Sequence, residues 1–531
     1  MLNRRDFALL AAASPLAFAA PAARAATPKD TVVIAEQLDG LLTMDPGESY
    51  EIAGQEIGTN IYDRLMRYEA EDVTKLVGGV ALSNTVSPDG KTFTFKLRPN
   101  LKFESGNPVT ADDMAWSLQR VVLMDKAPAF LFTQLGWNKD NVKDLVKATD
   151  PATLTFKIIA DLAPSLVLNL MSTLAASAVD KKVALSHEVN GDYGNGWLKT
   201  HSAASGPYTL VAWKADESVT LLANPGYHLG PPHTKRVIVR HVPEPATQRL
   251  MLEKGDIDIA RDLTPDQLAP LASNKSIRIE SFPAANTFYL GMNLTEEHMK
   301  NPKVREAMKW LVDYQGMVNS FLKGRFIVQQ AFLPIGFMGS IAYNPYKLDV
   351  AKAKALLAEA GYPDGFTLEF TAPNTTPWTE ISQSVQQTMG QGGIKLNIVP
   401  VELKQELQVF RARKHQLVLN SWAPDYFDPH SNADTFAHNE DDSDTPATKP
   451  LAWRTHWLIP ELSKQTLAAA KEFDTDKRKA EYADLQKIVT DQGPFVIMFQ
   501  NANQVASRTS VKGFKAGIFE DMNFYRTITK T

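Results

Sequence analysis

The chain has 531 residues, 44% of them hydrophobic and 22% charged, with 56 basic and 60 acidic side chains for a formal net charge of −4. This is the balance of a water-soluble globular protein of two or three domains, and with no basic stripe to neutralise a phosphate backbone it excludes nucleic acid as a partner. Cysteine is absent, which removes disulfides, thiolate metal sites, a cysteine nucleophile and a lipid-modified N-terminal cysteine together.

In chain order, Asn3-Arg4-Arg5-Asp6-Phe7 is a twin-arginine signature, followed by an apolar run to Ala20 and small residues at Ala23-Arg24-Ala25. It predicts an export signal over 1–25, cleaved after Ala25, and release into the periplasm. The run is broken by Ser14-Pro15 and is shorter than the ~20 apolar residues of a membrane-spanning helix. No later stretch reads as a membrane-spanning helix. Residues 31–35 alternate as a strand, Met44-Asp45-Pro46 turns the chain, and Ile57, Ile61, Leu65 and Tyr68 at spacings of three and four predict a helix over 58–68.

The next stretch carries the densest local signal. Ser87-Pro88-Asp89-Gly90 makes a turn, Phe93, Phe95 and Leu97 alternate as one buried strand face, and Pro99-Asn100 turns again. Thr110 caps a helix with Asp113 at its third position and Met114, Leu118, Val121 and Val122 as its apolar stripe. Leu154, Phe156 and Ile158 form another alternating strand, and the Gly-, Asn- and Ser-rich residues 188–205 read as a linker at a domain boundary. Beyond it come strands over 209–213, 219–222, 237–241 and 256–260, with a helix over 245–253 stopped by Gly255. An apolar strand over 288–293 precedes a helix capped by Asn301 with Pro302 at its first position, and a second helix runs from Asp349 to Gly361. Strands over 367–370 and 393–399 and a helix over 402–413 follow. Near the C-terminus, 477–489 is a helix with Tyr482, Leu485 and Val489 inward, and 495–499 is a last apolar strand leading back to the first domain.

The segment Leu-Val-Leu-Asn-Ser-Trp-Ala-Pro-Asp-Tyr-Phe-Asp-Pro over 417–429 stands out chemically. A short apolar strand runs into a loop in which Asp425 and Asp428 flank Tyr426-Phe427. A carboxylate among aromatic rings at a strand end has little water and needs a cationic partner, so Asp425 is the leading candidate for binding a positively charged group. The local alternative is that Asp425 caps its own turn. The acidic residues 438–445 lack the rhythm of a calcium loop and read as solvated surface. No nucleophile elbow, zinc helix, Walker loop or dinucleotide turn occurs, and the ten histidines are scattered, so a binding protein is favoured over an enzyme.

The runs SPDGKTFTFKLRPNLKFESGNPVTADDMAWSLQRV and SWAPDYFDP resemble the periplasmic oligopeptide- and dipeptide-binding proteins of ABC importers, solute-binding family 5. The resemblance implies an α/β, two-lobed periplasmic binding protein fold with an additional third domain, of the hinge-closing class II. Its domains would be 26–72 with 204–285 and 504–531 (first lobe), 73–203 (an extra domain on that lobe) and 286–503 (second lobe). It implies that Asp425 pairs with a peptide α-amino group and that Ser421, Trp422 and Ala423 hydrogen-bond the ligand main chain. Tyr50, Glu51, Ile52 and Ala53 would form the opposite wall. Several peptide binders carry an arginine for the ligand carboxylate two residues before the Ser-Trp pair; here that position is Leu419, and Arg411, Arg413 or Lys414 would have to substitute. The implied partners are a small solute, most simply a peptide, and an inner-membrane ABC permease, met by a monomer without cofactor or metal. The alternatives are an opine, an oligosaccharide, a nickel or haem complex, or a periplasmic peptide hydrolase or chaperone.

Overall fold

The computed structural model describes residues 27–72, 75–446 and 448–531; the export signal read over 1–25 lies outside them. Its frame is an eleven-stranded mixed sheet. From one end the strands are Ile394–Val401, Phe366–Pro373, Leu417–Trp422, Ile277–Met292, Phe495–Arg508, Ile259–Ala260, Thr31–Glu36, Arg236–His241, Ser218–Ala223 and Tyr208–Lys214, with Phe326–Val328 added on Phe495–Arg508. Thr31–Glu36 is parallel to both neighbours and buried along all six residues, as expected of a central parallel strand covered on both faces.

Two antiparallel strands, Ile277–Met292 and Phe495–Arg508, hold the halves of this sheet together. The first has 16 residues, a reach of roughly 50 Å at the rise of an extended chain. Their register breaks between Pro283 and Thr287, where Ala284, Ala285 and Asn286 bulge and the Asn286 N–H donates to the Asn501 side chain at 3.0 Å. On one side of this break lies a core of Leu290, Met308, Leu357, Phe370, Val385 and Leu419; on the other, a core of Val32, Ile34, Ile57, Tyr208, Val239 and Tyr525. A separate four-stranded antiparallel sheet of Ala81–Val86, Thr92–Leu97, Thr153–Lys157 and Val146–Asp150 has its own core, on which the Ala111–Met124 helix lays Met114, Leu118, Val121 and Val122. That helix starts as expected: Thr110 and Asp113 form a reciprocal capping box.

Two expected elements differ. The helix expected over 58–68 is Ile52–Ile61, and Met66–Tyr68 is a strand paired with Leu76–Gly78. The chain leaves the helix at Tyr62 because Asp63 and Leu65 bond to the backbone of Ala178 and Ala176; the apolar residues Leu65 and Tyr68 fit the helical spacing but serve this crossing instead. The strand expected over 256–260 shrinks to Ile259–Ala260, since Gly255 closes the preceding helix in a left-handed conformation and Asp256 N–H returns to Met251.

Candidate ligand-binding site

Asp425 lies on the loop after Leu417–Trp422, and Tyr50 on the segment before Ile52–Ile61. These residues, 375 positions apart in sequence, meet where the two sheet halves face each other: the Tyr50 hydroxyl donates to Asp425 Oδ1 at 3.0 Å. Together they line a hollow of about 30 Å³, completed by Ser49, Gln55, Leu131, Thr173, Phe519 and Asp521 among others. Asp425 remains open to solvent at the hollow, yet it is crowded by protein; this desolvation raises its pKa above 3.8, against the lowering effect of the Tyr50 bond, and nearby Asp434 adds to the rise. Burial and the charge of Asp425 push the Tyr50 phenol up in turn, so it stays a donor. No lysine, arginine or histidine among the described residues forms an ion pair with Asp425.

The carboxylates flanking Tyr426-Phe427 have opposite roles. Asp428 is fully buried and forms a two-pronged pair with Arg478 at 2.7 and 2.8 Å while capping the Pro429–Phe436 helix through the His430 N–H. Burial opposes its ionisation, but the Arg478 charge and hydrogen bonds outweigh it and hold its pKa low. The pair also reaches the unit built on the four-stranded sheet: Arg478 donates to Ser165 at 3.0 Å, and Asn169 donates to Asp428 at 3.2 Å. Opposite, Asp45 anchors the segment carrying Tyr50. It is wholly buried against Arg120 at 2.6 Å and accepts from Asn195 at 2.7 Å and from the Gly47 N–H at 2.9 Å.

Of the remaining expected site residues, Ser421 and Trp422 are half-buried on the strand entering the Asp425 loop, paired with Phe288 and Thr287, and Ala423 is exposed. The Trp422 indole N–H is buried without an acceptor among the described residues. Glu51 is the residue before the Ile52–Ile61 helix and its side chain makes no cap bond there, Ile52 points to solvent at 66% exposure and Ala53 packs into the core, so of that expected wall only Tyr50 lines the hollow. Arg413 does not join the site. Its guanidinium is spent on Asp442, on the Ser443 carbonyl and on His456, and lies 4.2 Å over the Trp453 ring; the acidic loop read as solvated surface thus supplies a structural ion pair. Leu419 is buried in the core.

Sequence reasoning missed the walls from the C-terminal segment and the four-stranded unit. Phe519 lies 5.7 Å from Phe427 and 5.8 Å from Phe337, and Phe337 and Phe427 are 4.5 Å apart, with Tyr68 on the far side of Phe427 at 5.1 Å. This aromatic cluster bridges the two sheet halves. The C-terminal segment is held for it by Glu56, which accepts from Tyr525 at 2.7 Å and Asn523 at 2.6 Å and pairs with Arg261 at 2.7 Å. The density of aromatic and polar residues in Phe-Glu-Asp-Met-Asn-Phe-Tyr-Arg over 519–526 was the available signal. Among the described residues no group of three His, Asp or Glu side chains is placed to hold a metal ion, and no helix is long and apolar enough to cross a membrane.

Two cores joined by a strand pair, with Tyr50 of one side meeting Asp425 of the other, are the architecture of a two-lobed solute-binding protein. The chain belongs to the bacterial extracellular solute-binding proteins, family 5, whose model ("family 5 Middle") matches residues 75–444. It is 30% identical over 500 residues to the Probable D,D-dipeptide-binding periplasmic protein DdpA of Escherichia coli (strain K12), covering 93% of each chain. Over 400 residues it is 30% identical to the glutathione-binding protein GsiB of Salmonella typhi, covering 75% of this chain and 73% of that one. The structure of HbpA2 from Haemophilus parasuis superposes with a TM-score of 0.80 at 21% identity, covering 94% of this chain and all of that one. This last likeness concerns the fold.

Proposed function

We propose that the chain is the substrate-binding component of an ABC importer, capturing a peptide between its lobes and delivering it to an inner-membrane permease. Asp425 carries this reading: it is an interlobe carboxylate with a raised pKa and, among the described residues, a neutral hydroxyl as its side-chain hydrogen-bond partner. A peptide α-ammonium would supply the missing charge through a charge-assisted bond of ~1.5–3 kcal/mol net. Relatives named for dipeptides and glutathione support the same ligand class. Residues 1–25 would export the chain through the twin-arginine route into the periplasm, where it would act as a monomer. Residues 26–72, 204–285 and 504–531 would form one lobe with 73–203 as its extra domain, and 286–503 would form the other. The lobes would close about the register break between Pro283 and Thr287.

The test is a thermal-shift screen over short peptides with the wild-type chain and Asp425→Asn. A ligand at ~100 times its Kd stabilises the wild type by ~2.7 kcal/mol. The variant should lose that gain while its unliganded melting temperature does not fall. Equal peptide stabilisation of both proteins would remove Asp425 from the site. A second reading, a non-peptide amine, is favoured by one observation: Leu419 is buried and Arg413 is engaged by Asp442, so neither of these positions offers a free cation to a peptide carboxylate. Native mass spectrometry of protein purified without unfolding separates the two by the mass that travels with the chain.

A further inference from the structure

Beside the Asp425 hollow lies a second, larger cavity of about 330 Å³. Phe427 and Met522 line both, so the two lie against each other with these side chains between them. Both lobes build its walls: Phe282 and Pro283 come from a connecting strand, Ile335 and Phe427 from one lobe, and Ile518, Met522 and Phe524 from the C-terminal segment. The surface is apolar and incompletely packed: Ile335 is 40% exposed, and Phe282, Phe427 and Phe524 are half-buried. Gly336 takes a positive φ of 107° there, and a Cβ in its place would stand 3.1 Å from Ile518 Cδ1, so a side chain at 336 would crowd this wall. Charged side chains at this cavity are Lys515, Glu71 and Asp72, with Glu71 3.5 Å from Arg526.

The two spaces differ in chemistry and in size. The hollow of about 30 Å³ has room for a group the size of one water or ammonium beside a carboxylate. Since an apolar cavity of ~150 Å³ holds benzene, the 330 Å³ chamber takes a whole ring or branched aliphatic side chain with the backbone that bears it. We infer that the site selects short peptides by a large, uncharged, apolar side chain, which fills this chamber while the α-ammonium occupies the hollow at Asp425. The inference rests on the peptide reading above and narrows it.

Isothermal titration of the wild-type chain with Ala-Ala, Leu-Leu, Phe-Phe and Glu-Glu tests it. Leu-Leu or Phe-Phe should bind at least about tenfold tighter than Ala-Ala, because each added buried side chain removes its apolar surface from water, and Glu-Glu should bind more weakly than Ala-Ala. Ile335→Asp and the milder Ile335→Ser, at a position already exposed and therefore tolerant, should shrink the Leu-Leu to Ala-Ala affinity ratio toward one. Equal affinities across the series, or a ratio unmoved by either variant, would overturn the chamber assignment while leaving the peptide reading intact if Asp425→Asn still abolishes binding. Absence of binding by all four dipeptides would overturn both.

Discussion

Asp425 and Tyr50 share one hydrogen bond in surroundings that disfavour the charged form of each. The ionised carboxylate is costly where it stands, and the phenol recovers part of that cost with one hydrogen bond. Because the folded-state pKa of Asp425 is raised, the folded chain holds this proton to higher pH than the unfolded chain does. The residue therefore costs stability as pH rises from its ordinary value through the raised one, and neutralising it as Asn should not weaken the unliganded fold. Binding has the opposite sign, since an ammonium needs the carboxylate ionised. Affinity for an amine-bearing peptide should fall on acidification through a range above the ordinary aspartate value of 3.8. In Tyr50→Phe, which removes the bond that lowers the Asp425 pKa, that fall should begin at higher pH. Titration calorimetry across neutral to acidic pH measures both midpoints; coincident midpoints would mean that the phenol does not act on the carboxylate.

Among the elements, the Asp425 loop depends on a pair it does not contain. Asp428 and Arg478 are both at 0% side-chain exposure, and Arg478 belongs to the Thr475–Gln492 helix, fifty positions further on. Removing one partner leaves an uncompensated buried charge, a loss of ~3–5 kcal/mol. Arg478→Met should cost that much in urea unfolding and should also weaken peptide binding, because the loop loses its anchor. A loss below ~1 kcal/mol would mean that water reaches the pair. The reading of elements from local pattern succeeded where neighbours in sequence are neighbours in space, as in the Thr110–Asp113 capping box and the Phe93, Phe95, Leu97 face. It failed over 58–68, where apolar residues at helical spacing are buried for another reason: Leu65 and Tyr68 lie on a segment drawn out of the helix by bonds to residues more than a hundred positions away.

For the whole molecule, among the described residues the large sheet continues from one core to the other through the connecting strands Ile277–Met292 and Phe495–Arg508. Bending at their register break would change the separation of the lobes without disturbing either core, as hinge closure requires. A bound peptide should therefore alter the radius of gyration seen by solution X-ray scattering, and Asp425→Asn should suppress that change at the same peptide concentration. Identical scattering with and without a peptide shown to bind would argue for a rigid cleft.

What the sequence determined by itself was local: turn chemistry, helix caps, strand alternation, and a carboxylate set among aromatic rings. These follow from short-range sterics and hydrogen bonding, so a window of residues suffices. That Asp428 is ion-paired while Asp425 accepts from a phenol, that Arg413 pairs with Asp442, and which walls meet Asp425 were decided only in three dimensions. Those outcomes depend on contacts between segments hundreds of positions apart, and such contacts are set by how strands cross between two cores, a property that no single stretch of the chain encodes.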